Sequence, residues 1–122
     1  MDFKNASELL ALCAQQQLPI SEIMRRRECE LGETTRDEVT HRMAHALEIM
    51  RSSALTPLKT PVKSMGGLIG GEAKKLAQHA SVGRSICGDV LQKAAEYAMA
   101  VLEVNASMGL IVAAPTAGSA GV

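Results

Sequence analysis

The sequence predicts an all-α fold: a small helical bundle of about five helices, with a glycine-rich loop and an apolar C-terminal segment, in a single domain spanning residues 1–122. Two features of the composition favour this fold. Aromatic residues make up only 2% of the chain, whereas alanine fills 18 of its 122 positions. Sheets draw heavily on aromatic and β-branched side chains, so this composition favours helices that pack closely through small residues. Apolar residues also recur at helical spacing along much of the chain.

Two short helices are predicted before residue 32. Asn5 or Ser7 caps the first helix, and Pro19 ends it, because both kinds of residue mark helix boundaries. Ser21 caps a second helix, which is highly charged and has only a thin apolar face. Gly32 then predicts a bend or a new start.

A longer third helix is predicted from about residue 35 to Pro57, where the missing N–H of proline should terminate it. Its apolar residues follow one helical stripe, which is expected to face the core. The members of this stripe are Val39, Met43, Ala46, Leu47, Met50 and Ala54.

The second half of the chain predicts two further helices, one from Glu72 to about Ala80 and one of about five turns. The second is apolar almost all round, which is typical of a central helix. Its apolar face is expected to contain Ile86, Val90, Leu91, Ala94, Ala98, Val101 and Leu102. No charged residue follows position 103, so the last part of the chain is expected to be mostly buried. Residues 110–114 fit a strand-like stretch or a single helical turn equally well.

Charge and cysteine content exclude several classes of protein. Thirteen basic and thirteen acidic residues cancel, so the chain lacks the basic surface that nucleic acid binding requires. No signal peptide and no apolar run of membrane-spanning length is present. The three cysteines are odd in number and form no CxxC pair, which fits a reducing compartment. We therefore expect a soluble, cytoplasmic protein with no nucleic acid partner.

The most unusual stretch is the glycine-rich segment, residues 63–71, in which four of the ten glycines lie within six positions. Glycines directly before a helix allow backbone N–H groups to approach an anion, and Lys63 adds a cation. The order of residues matches neither a Walker A sequence nor a GxGxxG fingerprint. Anion binding and a simple turn between packed helices both remain open. The candidate residues are Lys63, Ser64, Gly66, Gly67, Gly70 and Gly71.

A second polar stretch interrupts the apolar end of the chain. Buried hydroxyl and amide groups need hydrogen-bond partners, and these partners are either backbone groups in caps and turns or a small polar substrate. The candidate residues are Asn105, Ser107, Pro115, Thr116, Ala117, Gly118 and Ser119.

A metal site is a weaker possibility. His41 and His45 lie one helical turn apart, close to Glu38 and Glu48. Two imidazoles at this spacing can share a metal ion, but the second half of a carboxylate-bundle site is missing. Solvated histidines on a charged helix explain the pattern more simply.

Residues 105–121, NASMGLIVAAPTAGSAG, resemble the signature of the α chain of iron–sulfur-dependent L-serine dehydratases, and residues 63–76, KSMGGLIGGEAKKL, resemble the glycine-rich segment of the same family. The resemblance implies conversion of L-serine to pyruvate and ammonia. It implies a four-iron, four-sulfur (4Fe-4S) cluster held by three cysteines, with no pyridoxal phosphate. It also implies a β chain or β domain as partner, an oligomeric enzyme, and substrate binding by the two sets of candidate residues above.

The resemblance also has a departure. Many relatives have a ligand cysteine near the end of the Ala-Pro-Thr motif, where Ala120 stands here. The other ligand cysteines of the family lie further downstream, and no cysteine of this chain matches a ligand position. We therefore expect the N-terminal portion of a longer α chain, without a metal ligand and inactive alone. The alternative is a non-catalytic helical module whose glycine-rich loop binds an anion.

Overall fold

A computed structural model describes residues 2–83 and 85–113 of the chain. These ranges contain helices and no strands, so the predicted all-α class is confirmed. The chain divides into two compact units, Met1–His45 and Ala46–Val122, and the prediction of a single domain stays a prediction. The helices of the described ranges are α1 (Ala6–Gln16), α2 (Ile20–Leu31), α3 (Arg36–Lys59), α4 (Glu72–Val82) and α5 (Asp89–Ala106).

The first two helices begin at residues that satisfy the free N–H groups of a helix start. Asn5 caps α1, because its side-chain oxygen accepts a hydrogen bond of 2.9 Å from the N–H of Glu8. Pro19, not Ser21, precedes α2. Its fixed φ of −69° leads directly into the helix, and its carbonyl accepts the N–H groups of Glu22 and Ile23.

The core of the first unit depends on one side chain of α2. Ile23 is fully buried and is the largest such side chain in the part of the chain that the structure describes. The arginine-rich remainder of the helix is held by ion pairs around Glu22, whose carboxylate contacts Arg25, Arg26 and Arg36. The hydrogen bond from Arg36 is the main cause that lowers the pKa of Glu22.

The start of α3 is a capping box. The N–H of Thr35 donates to the Glu38 carboxylate over 2.9 Å, and the N–H of Glu38 donates to the Thr35 hydroxyl over 3.3 Å. The hydroxyl of Thr34 donates to the same carboxylate. These hydrogen bonds lower the pKa of Glu38 from 4.5 to about 2, with Thr34 as the largest cause.

This lowered pKa predicts how the start of α3 responds to pH. A depressed carboxylate pKa stabilises the folded helix start fully above pH 4.5, and the stabilisation is lost as the pH falls towards 2. We expect Glu38 to titrate near pH 2 when its side-chain carbon is followed by NMR. The variant Thr34→Val should raise this pKa, whereas titration of the wild-type group near 4.5 would contradict the capping box.

One prediction about α3 is wrong, and another holds only in part. Pro57 does not end the helix, which continues to Lys59. A proline in the last turn removes only one hydrogen bond, and this ring is fully buried. The predicted apolar stripe is only partly buried: Val39 is buried, whereas Met43, Leu47 and Met50 are 67%, 47% and 46% exposed.

The second unit is built on the packing of α4 against α5. Helix α5 begins at Asp89, so Ile86 lies before it and is completely exposed. The predicted apolar face is only partly buried, because Val90, Leu91 and Leu102 are exposed as well. The buried residues of α5 are instead Glu96, Ala100, Val101 and Glu103.

The segment after α5 also differs from its prediction. Met108 and Leu110 are exposed, although the uncharged end of the chain was expected to be buried. Residues 109–113 form neither a strand nor a helical turn. None of the five helices described here combines the length and hydropathy needed to cross a bilayer.

Candidate functional site

The glycine-rich segment is a tight turn closed by Ser64. The N–H of Ser64 donates to the carbonyl of Ile69 over 2.7 Å, and the N–H of Ile69 donates back to the Ser64 hydroxyl over 3.1 Å. Inside this closure, the N–H of Gly67 donates to the carbonyl of Ser64 over 2.9 Å. The segment therefore has a defined shape.

Glycine is required at two positions of this turn for different reasons. Gly67 has a φ of +72°, a conformation that side chains with a Cβ rarely adopt. Gly70 lies against the backbone: a Cβ there would stand 3.0 Å from both the Val62 carbonyl oxygen and the Lys63 Cα. The side chain of Lys63 crosses the same region, since its Cγ would lie 3.3 Å from that Cβ. The exposed Lys63 cation is thus attached directly to the turn.

The turn meets the end of α5. The N–H of Met65 donates to the carbonyl of Ala106 over 3.3 Å. Around this contact, the Ser107 hydroxyl donates to the carbonyl of Val104 over 2.8 Å, and the N–H of Gly109 donates to the same carbonyl. The two stretches singled out in the sequence, 63–71 and 105–109, therefore lie side by side.

Two carboxylates occupy the start of α4, where the turn ends. The Glu72 carboxylate accepts the N–H of Gly70 over 2.7 Å. Glu103 reaches across from α5, and its Oε1 accepts the N–H of Ala73 over 2.8 Å. These N–H groups already have partners, so an incoming anion would have to displace a carboxylate. The arrangement disfavours the alternative of an anion-binding loop.

The two carboxylates differ in burial and in pairing. The pKa of Glu72 is lowered, because N–H groups of its own backbone and of Gly70 donate to it; the Glu103 side chain and the Lys75 charge contribute less. Glu103 is fully buried, and its Oε2 has no hydrogen-bond partner.

Three of the cavities lined by described residues lie in the second unit. One of about 350 Å³ is lined by Glu72, Lys75, Leu76 and Met99. A second, of about 280 Å³, is lined by residues of α3 and α5 together with Val112. A third, of about 250 Å³, is lined by residues of α3 together with Leu110. The first is open to solvent and its surface is almost wholly apolar, although Glu72 and Lys75 border it.

The structure places the predicted site residues as follows. Lys63, Gly66, Gly67 and Asn105 are exposed; Ser64, Gly70 and Ser107 are half-buried; Gly71 is buried. The remaining predicted residues, Pro115, Thr116, Ala117, Gly118, Ser119 and Ala120, lie outside the described residues. Substrate binding by these residues stays a prediction.

Sequence reasoning missed Glu72 and Glu103. At Glu72 the sequence pattern predicts only the beginning of a helix. Glu103 carried a usable signal, since it is a lone charge in the otherwise apolar run from Ala98 to Val104. A charge in such a run has to find a partner when it is buried. Its partner at the start of another helix could not be inferred from periodicity.

The side chains that could bind a metal form no site within the part of the chain that the structure describes. Cys13 and Cys29 are half-buried in the first unit, and Cys87 is exposed in the second. His41 and His45 are exposed on α3, and Glu38 is used in the capping box. Within residues 2–83 and 85–113, no group of three or more histidine, cysteine or acidic side chains is placed to hold a metal ion.

The glycine-rich segment contacts the end of α5 within one helical unit. Comparison with known proteins identifies the family to which this unit belongs. Residues 15–122 match the family model described as "Serine dehydratase alpha chain". The chain therefore belongs to the serine dehydratase alpha chain family, as the resemblance of its two motifs predicted.

Curated relatives agree with this membership. The chain is 40% identical over 98% of its length to the probable L-serine dehydratase, alpha chain, of Bacillus subtilis. It is 37% identical over 96% of its length to the L-serine dehydratase, alpha chain, of Peptoniphilus asaccharolyticus. It is 32% identical over 99% of its length to the L-serine dehydratase of Helicobacter pylori.

The chain spans 40% of the length of the first two relatives and 27% of the third. No solved structure matches it.

Proposed function

We propose that this chain forms part of an L-serine ammonia-lyase, which dehydrates and deaminates L-serine to pyruvate and ammonia. The glycine-rich segment and the neighbouring residues 105–107 form one side of the serine pocket. The observation that carries this proposal is the hydrogen bond from Met65 to Ala106, because it joins the two motifs that mark the family.

The reaction needs serine to be held by its carboxylate and its amino group while water leaves. Loss of the α-proton and of the hydroxyl gives aminoacrylate, which hydrolyses through its imine to pyruvate and ammonia. Lys63, exposed and attached to the turn, supplies the cation for the serine carboxylate. Asn105 and Ser107, on the other side of the Met65 contact, supply polar groups for the rest of the substrate.

The cofactor in this proposal is a 4Fe-4S cluster and not pyridoxal phosphate. A cluster needs several thiolates at one place, and within residues 2–83 and 85–113 no group of three or more histidine, cysteine or acidic side chains is placed to hold a metal. We assign the ligands to the part of the α chain outside the described residues.

The proposed partner is a β chain or β domain in an oligomeric, cytoplasmic enzyme. The apolar stripe of α3 supports a protein partner, because its three large side chains, Met43, Leu47 and Met50, are exposed although they share one helical face. Free thiols at all three cysteines are compatible with a reducing compartment.

The proposal is tested with the full-length protein, reconstituted anaerobically with iron and sulfide and complemented with its β part. We expect pyruvate to form from L-serine without pyridoxal phosphate. Replacing Lys63 with alanine should raise the KM for serine by about tenfold or more, the typical effect of losing a charged hydrogen bond. Lys59→Ala, at the end of α3, serves as the control.

The cofactor dependence and the KM values of the two lysine variants each test the proposal. Pyruvate formation that requires pyridoxal phosphate, or that proceeds without iron, would overturn it. Equal KM values for the two lysine variants would remove Lys63 from the pocket.

A further inference from the structure

Glu103 makes hydrogen bonds to both sides of the proposed serine pocket. Its side-chain Oε1 accepts the N–H of Ala73 over 2.8 Å, at the second residue of α4, just after the glycine-rich segment. Its backbone carbonyl accepts the N–H of Ser107 over 3.0 Å, in the other stretch. One residue of α5 therefore links the end of the glycine-rich segment to residues 105–107.

The contact between Glu103 and Ala73 is a strong restraint, because both residues are 0% exposed. Another hydrogen bond between the two sides joins the N–H of Met65 to the carbonyl of Ala106, but it is longer, at 3.3 Å, and Met65 is 80% exposed. Hydrogen bonds strengthen away from water and weaken with distance. The Glu103 contact is therefore the stronger of these two restraints on the spacing of the pocket.

The position of Ala73 is passed on to Lys63 by the close packing of the glycine-rich segment. Gly71 directly precedes α4, and Gly70 lies so near the Lys63 backbone that an added Cβ would stand 3.0 Å from its Cα. Because backbone atoms packed this closely cannot move independently, a shift of the start of α4 also moves Lys63. The Lys63 cation and the polar groups of residues 105–107 would then no longer match the two ends of one serine molecule.

We propose that Glu103 is a positioning residue: the length of its side chain sets the spacing between Lys63 and residues 105–107, and with it the fit of serine. This inference rests on the proposed function and deepens it, because it names a residue that acts on serine binding without touching the substrate. A displacement of about 1 Å can reduce the rate of an enzyme by about a hundredfold. Side-chain length, and not negative charge, is the property that matters at this position.

Two variants of the reconstituted full-length enzyme separate length from charge. Glu103→Gln keeps the length of the side chain and an oxygen that accepts from Ala73, but it removes the negative charge. We expect its KM for L-serine to stay close to the wild-type value. Glu103→Asp keeps the charge but is one methylene shorter, so its carboxylate reaches Ala73 only if the start of α4 moves. We expect its KM to rise about tenfold.

Glu96 provides the matched control on the same helix. It is 1% exposed, and the side chains that donate to it, Lys93 over 2.7 Å and Gln92 over 3.5 Å, also belong to α5. Glu96→Asp thus shortens an equally buried carboxylate without touching either side of the pocket. Its melting temperature should fall as in Glu103→Asp, while its KM stays at the wild-type value. KM does not depend on the fraction of enzyme that is folded, so a purely structural role of Glu103 would leave it unchanged.

Hydrogen exchange, followed by mass spectrometry of the peptides that cover residues 63–73, gives a readout that needs no turnover. Amides that lose a restraint open more often and exchange faster. Exchange in this segment should therefore be faster in Glu103→Asp than in the wild type or in Glu103→Gln. It should be unchanged in Glu96→Asp.

The failure of this inference and the failure of the proposed function are distinguishable. If the wild type turns over serine but Glu103→Asp has its KM and its exchange rates, the positioning role is wrong and the proposed function stands. A KM that rises in Glu103→Gln but not in Glu103→Asp would also contradict the role, because charge would then be the property in use. If the wild type forms no pyruvate from serine, the proposed function fails, and the role of Glu103 in serine binding fails with it.

Discussion

In the proposed L-serine ammonia-lyase, replacing Gly70 with alanine is expected to lower kcat/KM for L-serine by about a hundredfold, the scale of loss that accompanies a displacement of about 1 Å near a substrate. The added Cβ would lie 3.0 Å from the carbonyl oxygen of Val62 and from the Cα of Lys63. Both atoms belong to the backbone, so the turn itself has to shift. That shift moves Lys63 and weakens the hydrogen bond from Gly70 to Glu72.

The same substitution should also cost about 1–3 kcal/mol of unfolding free energy, as overpacking typically does. Gly83→Ala is the matched control, because a Cβ there meets no atom within 4 Å and the residue follows the far end of α4. Urea denaturation measures both variants. Normal stability and normal turnover in Gly70→Ala would show that the close approach to residues 62 and 63 is absent.

Replacing Ile23 with alanine should destabilise the first unit by about 2–5 kcal/mol, the usual cost of a large-to-small change in a core. Ile23 is fully buried, and Val39 is the other buried apolar residue among the described positions of this unit. A small core has few neighbours that can collapse into the space left behind. The loss of unfolding free energy is therefore expected to lie at the upper end of this range.

The control for Ile23 is the same residue type one turn earlier in the helix. Ile20 is 49% exposed, so Ile20→Ala should change the unfolding free energy by only about 0.5 kcal/mol. Far-UV circular dichroism during urea titration follows both variants. Similar losses for the two isoleucines would mean that Ile23 is not the centre of the core.

Local chemistry made the helices predictable. Asn5 and the Thr35–Glu38 box act through hydrogen bonds between near neighbours, and the sequence displays these directly. The prediction about Pro57 was wrong because a proline in the last turn leaves the helix intact when packing favours it. The start of α5 was placed too early for a similar reason: Ile86 fits the apolar spacing, but the helix begins only after Gly88.

Burial was much harder to predict than helix position. The stripe of Met43, Leu47 and Met50 has core-like spacing, yet spacing alone does not say whether the covering surface belongs to the same chain. Glu103 shows the converse, since this charged side chain is fully buried. Its contact with Ala73 joins residues 30 positions apart, and no local pattern encodes such a pair. The proximity of the two family motifs is likewise a tertiary contact.

Gln92 and the buried Glu103 of α5 also fix the alignment of this helix pair. Gln92 donates to the carbonyl of Leu76 near one end of the interface, and Glu103 holds Ala73 near the other. If α4 slid by one turn along α5, Glu103 would lose its donor inside the protein, at a cost of about 3–5 kcal/mol by analogy with broken buried pairs. Two helices that met only through apolar side chains could pack at several offsets along their axes. The hydrogen bonds of Gln92 and Glu103 allow only one of these offsets.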